Sequence, residues 1–247
     1  MFDHVTIRVT DRDAAERLYG AGFAALGIRE TGRDDEFVQW GDVSLARAKP
    51  GKPATRRLHI GFAAPSHAAV DAFHAAGLAA GAADDGAPGP RPQYREDYYG
   101  GFLRDADDNS FEAVVHGALR ADGNVDHLWI RVADLAAARR FYDAIAPHAR
   151  LRLVAELEDR IRYARADGGG GGSLSLVADG PPTEGIHFAF PAPDAATVDA
   201  FHAAAVAAGY ADDGAPGPRP QYAPGYYGGF VLDPDGNSVE LVHHGPA

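Results

Sequence analysis

The order of apolar and polar positions along the chain switches between two periods. Over residues 4–9, Val5, Ile7 and Val9 fall on one side and His4, Thr6 and Arg8 on the other, the period of a half-buried strand. Asp11 then stands where a helix N-cap belongs. Ala14, Ala15, Leu18, Phe23 and Leu26 follow at helical spacing until Gly27 stops them. Residues 37–40 and 43–46, separated by Gly41-Asp42, predict a hairpin. A turn-rich stretch at 51–53 leads to a second opening strand over 58–63. A second helix is predicted from Ser66 through Val70, Phe73 and Leu78, and strands around Phe102 and over 111–115 close the series. His74 and His202, on the second helix of each half, read as surface residues.

The same series then repeats. Asp84-Asp85-Gly86-Ala87-Pro88-Gly89-Pro90-Arg91-Pro92-Gln93-Tyr94 returns letter for letter as residues 212–222. Tyr98-Tyr99-Gly100-Gly101-Phe102 returns as residues 226–230, and Asn109-Ser110-Phe111-Glu112 as Asn237-Ser238-Val239-Glu240. At the front, Asp3-His4-Val5-Thr6-Ile7-Arg8-Val9 matches Asp126-His127-Leu128-Trp129-Ile130-Arg131-Val132. Copies of about 120 residues are too long for a solenoid unit and right for a domain. The expected division is a first domain over residues 1–118, a linker over 119–123 and a second domain over 124–247. In the second copy the helices start near Asp134 and Asp194. The run Gly168 to Gly172 sits where a hairpin loop belongs. It is not followed by a helix opening with Lys-Ser or Lys-Thr, so it is no phosphate-binding loop.

Strand parity gathers a set of polar residues. If Val5 and Ile7 pack beneath a helix, His4 faces the other way. Leu58, Ile60 and Phe62 do the same for His59, and Phe111, Ala113 and Val115 for Glu112. The second copy supplies His127, His187 and Glu240. Two neutral imidazoles and one carboxylate, with positions left over, suit one divalent metal, and the metal gives a buried glutamate its partner.

Composition narrows the remaining choices. No cysteine is present among the 247 residues, which excludes disulfides, thiolate metal sites and thiol nucleophiles. A formal charge of -12 argues against a nucleic-acid or anionic-membrane partner. No apolar stretch approaches a membrane span, and a cytoplasmic location is the default expectation.

The histidine-led opening strands, the midway strands His59-Ile60-Gly61-Phe62 and His187-Phe188-Ala189-Phe190, and the closing Asp233-Pro234-Asp235-Gly236-Asn237-Ser238-Val239-Glu240 resemble the vicinal-oxygen-chelate superfamily of glyoxalase, bleomycin-resistance and dioxygenase-like proteins. The resemblance covers essentially the whole chain, twice. It implies an α+β fold of two tandem domains, each a pair of βαβββ modules forming a curled mixed sheet with a concave metal site. Copy one departs from it. Asp105-Ala106-Asp107-Asp108-Asn109 has lost the Pro and Gly of the closing turn, which predicts a distorted last hairpin.

The resemblance also frames the reaction. Glyoxalase- and epimerase-like members carry a fourth ligand, usually a Glu in the fourth strand. Here Val43-Ser44-Leu45-Ala46 and Ser173-Leu174-Ser175-Leu176-Val177 have no carboxylate. The three-ligand set looks most like the dioxygenases, whose additional His is replaced by Gln93-Tyr94-Arg95 and Gln221-Tyr222-Ala223. Phe102 and Phe230 stand where their strand Tyr would be. Tyr99 and Tyr227 are then the expected hydrogen-bond donors to a bound oxygen, and Arg8 and Arg131 the expected cationic groups. Arg91 and Arg219, between prolines, read as solvated.

The implied cofactor is one divalent metal per active domain, iron(II) first, with manganese(II), zinc(II) or nickel(II) as alternatives. The implied partner is a small-molecule substrate with adjacent oxygens, with a homodimer left open. A glyoxalase- or bleomycin-resistance-type lyase, or an antibiotic-sequestering protein, is the alternative. The grouping of ligands is also open. Modules exchanged between copies would place His4 with His187 and Glu240, and His127 with His59 and Glu112.

Overall fold

A computed structural model describes residues 1–117, 123–168 and 172–246. The first repeat runs β1 (His4–Val9), α1 (Arg12–Ala25), β2 (Gly32–Arg33), β3 (Phe37–Trp40), β4 (Val43–Arg47), β5 (His59–Ala63), α2 (His67–Ala79), β6 (Ala83–Pro90), β7 (Tyr99–Arg104) and β8 (Ser110–Val115). The second runs β9 (Val125–Arg131), α3 (Leu135–Ala149), β10 (Leu151–Glu156), β11 (Arg160–Arg165), β12 (Ser173–Val177), β13 (His187–Pro191), α4 (Ala195–Ala207), β14 (Asp212–Pro218), β15 (Tyr226–Leu232) and β16 (Ser238–His244). This is the expected α+β order of four βαβββ modules. All four helices start at a side-chain cap. Asp11, Ser66, Asp134 and Asp194 each accept a hydrogen bond from a first-turn amide. No helix of the described residues is long and apolar enough to cross a membrane.

The modules are exchanged. One eight-stranded sheet has the order β14-β15-β16-β13-β1-β4-β3-β2, the other β10-β11-β12-β9-β5-β8-β7-β6. The first module therefore shares a sheet with the fourth, and the second with the third. The joins are antiparallel: β1 on β13, with Thr6 opposite His187, and β9 on β5, with His127 opposite Gly61. The sheets thus cut across the sequence repeat, each repeat supplying half of both. Residues 119–122 of the expected linker, and 169–171 of the glycine run, lie outside the described residues.

The core lies on the convex faces, where each repeat packs its two helices together, α1 with α2 and α3 with α4. From α1, the Tyr19 ring reaches Phe111 of the other sheet at 4.7 Å and Phe23 reaches Phe62 at 4.9 Å. Such fully buried rings each contribute about 1.5–3 kcal/mol. The concave faces are left for the polar residues of the opposite parity.

Three local findings depart from the sequence reading. The Asp-Asp-Gly-Ala-Pro-Gly-Pro stretches form strands, β6 and β14, though their composition reads as loop. Both lie at sheet edges and are broken by register shifts, where a proline without an amide hydrogen is tolerated. The closing turn of copy one is not distorted. Asp108 takes the left-handed backbone (φ 66°) that Gly236 takes in copy two (φ 84°), a conformation Asp adopts at lower cost than most residues. In both turns the Asn amide donates to the first Asp, Asn109 to Asp105 at 2.9 Å and Asn237 to Asp233 at 2.8 Å. His74 is buried rather than on the surface, its Nε2 lying 3.1 Å from Asp84.

Candidate metal centres

Each concave face gathers one triad from both repeats. In the first sheet His4 of β1 meets His187 of β13 and Glu240 of β16; in the second His127 of β9 meets His59 of β5 and Glu112 of β8. The first set has Nε2–Nε2 at 3.1 Å and Glu240 Oε2 at 3.5 and 3.2 Å from the two imidazoles. In the second set the distances are 3.0, 3.3 and 3.4 Å. Backbone proximity makes this possible. A Cβ at Gly61 would overlap the His127 ring, and one at Gly100 or Gly228 would overlap Glu112 or Glu240.

An outer layer aims each ligand. His4 Nδ1 donates to Asp3 at 2.9 Å and His127 Nδ1 to Asp126 at 2.8 Å. Holding the proton on Nδ1 leaves the Nε2 lone pair for a cation. His59 and His187 meet Ser110 and Ser238, each at 3.1 Å. Tyr98 and Tyr226 donate to Oε1 of Glu112 and Glu240, both at 2.7 Å. His116 and His244, just past the last strand's glutamate in each repeat, support Asp126 and Asp3 at 3.2 and 3.0 Å.

The remaining carboxylate oxygen tests the fit of a metal. Glu112 Oε2 and Glu240 Oε2 are buried and make no hydrogen bond among the described residues. A buried anionic oxygen left so is costly, and both point at two imidazole nitrogens. In the protein alone, a proton does part of a cation's work. Burial disfavours the charged forms, but the carboxylates outweigh it and raise His4 to about 9 and His127 to about 10. Burial likewise opposes the charge on Glu240, yet the imidazoles hold it down to about 2; Glu112 is lowered for the same reason. Burial wins at His59 and His187, which are lowered and stay neutral. Two imidazoles and a carboxylate with one oxygen unmet are the donor set of a divalent metal site.

The structure separates the other expected residues from these centres. Tyr99 and Tyr227 lie on the far side of their strand, with hydroxyls on Asp71 and Asp199 at 2.8 Å. Tyr98 and Tyr226 take the places at the centres. Parity carries the signal: Phe102 lies opposite Glu112, and Tyr98, four residues earlier, shares its face while Tyr99 does not. Arg131 is engaged, its Nε with Asp179 at 2.8 Å and Nη1 on the Arg57 carbonyl at 3.0 Å. The Arg8 guanidinium makes no ion pair or hydrogen bond among the described residues, and burial lowers its pKa. Arg91 and Arg219 sit over Phe102 and Phe230 at 5.4 and 5.6 Å from the ring centres.

The model of the glyoxalase/bleomycin resistance protein/dioxygenase superfamily matches residues 124–241. Glyoxalase I from Zea mays is similar over 98% of this chain and 92% of its own, at 21% identity and a TM-score of 0.67. A candidate dioxygenase from Bacillus subtilis is similar over 100% and 86%, at 14% identity and a TM-score of 0.65. A glyoxalase/bleomycin resistance protein from Albidiferax ferrireducens is 34% identical over 46% of this chain and 98% of its own, with a TM-score of 0.42. No curated protein matches the chain.

Proposed function

The chain belongs to the glyoxalase/bleomycin resistance protein/dioxygenase superfamily, and we propose that it is a divalent-metal-dependent enzyme of the oxygenase type, acting on a small substrate that presents adjacent oxygens. The observation that carries this reading is the pair of His, His, Glu clusters, each with a buried carboxylate oxygen facing two imidazoles and otherwise without a partner among the described residues. When bound, the metal supplies a Lewis acid for substrate oxygens and, as iron(II), access to dioxygen chemistry. Iron(II) is the first choice, ahead of manganese(II), zinc(II) and nickel(II).

Three protein donors favour this over a four-ligand lyase. Glu112 lies opposite Gly61, two residues beyond His59. The matching places two residues beyond His4 and His127 are Thr6 and Trp129, and opposite them stand Ser44 and Ser175. A serine hydroxyl is a poor substitute for a fourth carboxylate, so positions stay open for a bidentate ligand. The chain's own residues then have defined tasks. His4, His187 and Glu240, and His127, His59 and Glu112, hold the cation. Asp3 and Asp126 keep a proton on the far ring nitrogen, and Tyr226 and Tyr98 fix the carboxylates. Phe230 and Phe102, with ring centres 5.9 and 6.0 Å from His187 and His59, cover the centres against water.

Metal analysis of anaerobically purified protein tests the reading, with wild type beside Glu112→Ala and Glu240→Ala. The expected result is iron or manganese near two per chain, falling by about one in each variant. Wild-type protein that takes up no divalent metal after loading would overturn it in favour of a sequestering protein of the bleomycin-resistance kind. Metal without any oxygen uptake across catechol-like substrates would favour the lyase reading instead.

A further inference from the structure

The two centres share their ligands but not their surroundings. Two residues beyond the first histidine, on the same concave face, β1 carries Thr6 and β9 carries Trp129. Thr6 is small, and its hydroxyl meets that of Ser44 at 2.9 Å on the floor of the first cup. The Trp129 indole instead lies over the second triad, its ring centre 5.2 Å from His59 and 6.1 Å from His127. It is held there from two sides: Arg160 stacks on it at 4.2 Å, and Tyr94 meets it edge-on at 6.0 Å. Arg160 has a counterpart as well. It faces Val177, the neighbour of Arg131, as Phe37 faces Ala46, the neighbour of Arg8. So the cation-indole stack belongs to the second cup alone.

Access follows the same division. The side chain of His4 is 24% exposed, against 7% for His127. Among the described residues the strand cation of the first cup, Arg8, makes no ion pair, whereas in the second Arg131 is neutralised by Asp179. An indole stacked on a guanidinium and set against two imidazoles resists displacement, since moving it would break the cation–π contact.

We propose that the two centres differ in what they admit: both hold a metal, but the His4–His187–Glu240 centre alone takes a bidentate substrate, because Trp129, braced by Arg160, fills the matching space at the His59–His127–Glu112 centre. The inference rests on the metal reading above and adds that Thr6 and Trp129 decide access. The second metal then holds β5, β8 and β9 together rather than turning over substrate.

The test uses the full chain loaded with cobalt(II) and titrated with 4-nitrocatechol, a planar ligand with two adjacent oxygens whose absorbance reports binding. Wild type is expected to hold two cobalt ions, one for each triad, and to bind one equivalent of the catechol. Trp129→Thr should bind two equivalents with its cobalt content unchanged. Thr6→Trp, the reverse change, should bind none while still holding two cobalt ions, which also reports that it has folded. Two equivalents or none in wild type, or one equivalent in Trp129→Thr, overturns the proposal while leaving the metal reading in place. A wild type without cobalt overturns both.

Discussion

Replacing Tyr226 by phenylalanine removes one oxygen from the wall of the first centre and leaves the ring. That hydroxyl donates to Glu240 Oε1 at 2.7 Å within a buried pair. Glu240 Oε2 lacks a hydrogen bond among the described residues and faces only the His4 and His187 imidazoles, at 3.5 and 3.2 Å, so the variant leaves the carboxylate without any hydrogen-bond donor from the wall. A hydrogen bond to a charged acceptor contributes about 1.5–3 kcal/mol. The packing is unchanged, so no cavity adds to the loss. For a chain of 247 residues this lowers the Tm of the metal-free protein by about 3–12 °C. The oxygen that Tyr226 held in place is then free to turn away from the imidazoles, and an incoming cation must realign it. Removing such outer support costs about 10- to 100-fold in metal affinity. Tyr227→Phe is the control, because its hydroxyl meets Asp199 on the outer face; Tm and affinity should both stay at the wild-type values. Scanning calorimetry and manganese titration measure the two quantities. Wild-type behaviour in Tyr226→Phe, or a larger loss in Tyr227→Phe, would show that the carboxylate is oriented by something else.

Other consequences are as direct. His4 and His127 are raised to about 9 and 10, above the ordinary value near 6.5, so their protonation stabilises the metal-free fold fully below about pH 6.5. That contribution disappears as pH rises through 9 to 10; the metal-free Tm should fall over this window and the metal-loaded Tm should not. By the same linkage, loading at pH 7 should release about one proton per centre, read from titrations in buffers of different ionisation enthalpy. Gly228→Ala drives a Cβ into Glu240 Oε1; overpacking of about 1–3 kcal/mol and loss of one metal per chain are expected, by denaturant titration and metal analysis. Residues 1–117 alone would leave β1 and β5 without their antiparallel partners β13 and β9, so the fragment should sediment as a dimer or aggregate. A metal-binding monomeric fragment would contradict the exchanged pairing.

Much of this was legible because strand parity and capping are local. His4, His59 and Glu112 could be assigned to one face from their own neighbours, and Asp11, Ser66, Asp134 and Asp194 to helix starts from theirs. What failed needed information from another strand. Tyr98 and Tyr99 are both aromatic and adjacent, and only the pairing of Phe102 with Glu112 tells which of them faces the carboxylate. The edge strands β6 and β14 escaped for a different reason. Glycine and proline argue against a strand in general, and a strand paired on one side alone does not need every amide. Asp108 misled in the opposite direction, since the loss of glycine suggested distortion where aspartate accepts the same backbone.

The grouping of the ligands lay deeper still, because ligand chemistry does not choose it. Pairing modules within a repeat would also bring two histidines and one glutamate to each cup. The choice is made where each repeat passes from one sheet to the other. The two crossover segments meet there and pair, the Arg56 amide donating to the Glu184 carbonyl at 3.0 Å and the Glu184 amide to the Arg56 carbonyl at 3.1 Å. A buried threonine locks each side. Thr55 Oγ1 accepts from the Arg8 amide at 3.0 Å and donates to the Gly185 carbonyl at 3.0 Å. Thr183 Oγ1 accepts from the Arg131 amide at 3.0 Å and donates to the Arg57 carbonyl at 2.9 Å. Each hydroxyl therefore ties the first sheet strand of its own module arrangement to the crossover of the other repeat. Valine matches threonine in shape but leaves an amide and a carbonyl unmet, at about 1–3 kcal/mol for each group. Thr55→Val with Thr183→Val should therefore cost several kcal/mol in denaturant unfolding and loosen both metal centres together, although neither side chain is a ligand. If the double variant unfolds like wild type, the crossovers do not hold the exchange, and the β1–β13 and β5–β9 pairings must do so alone.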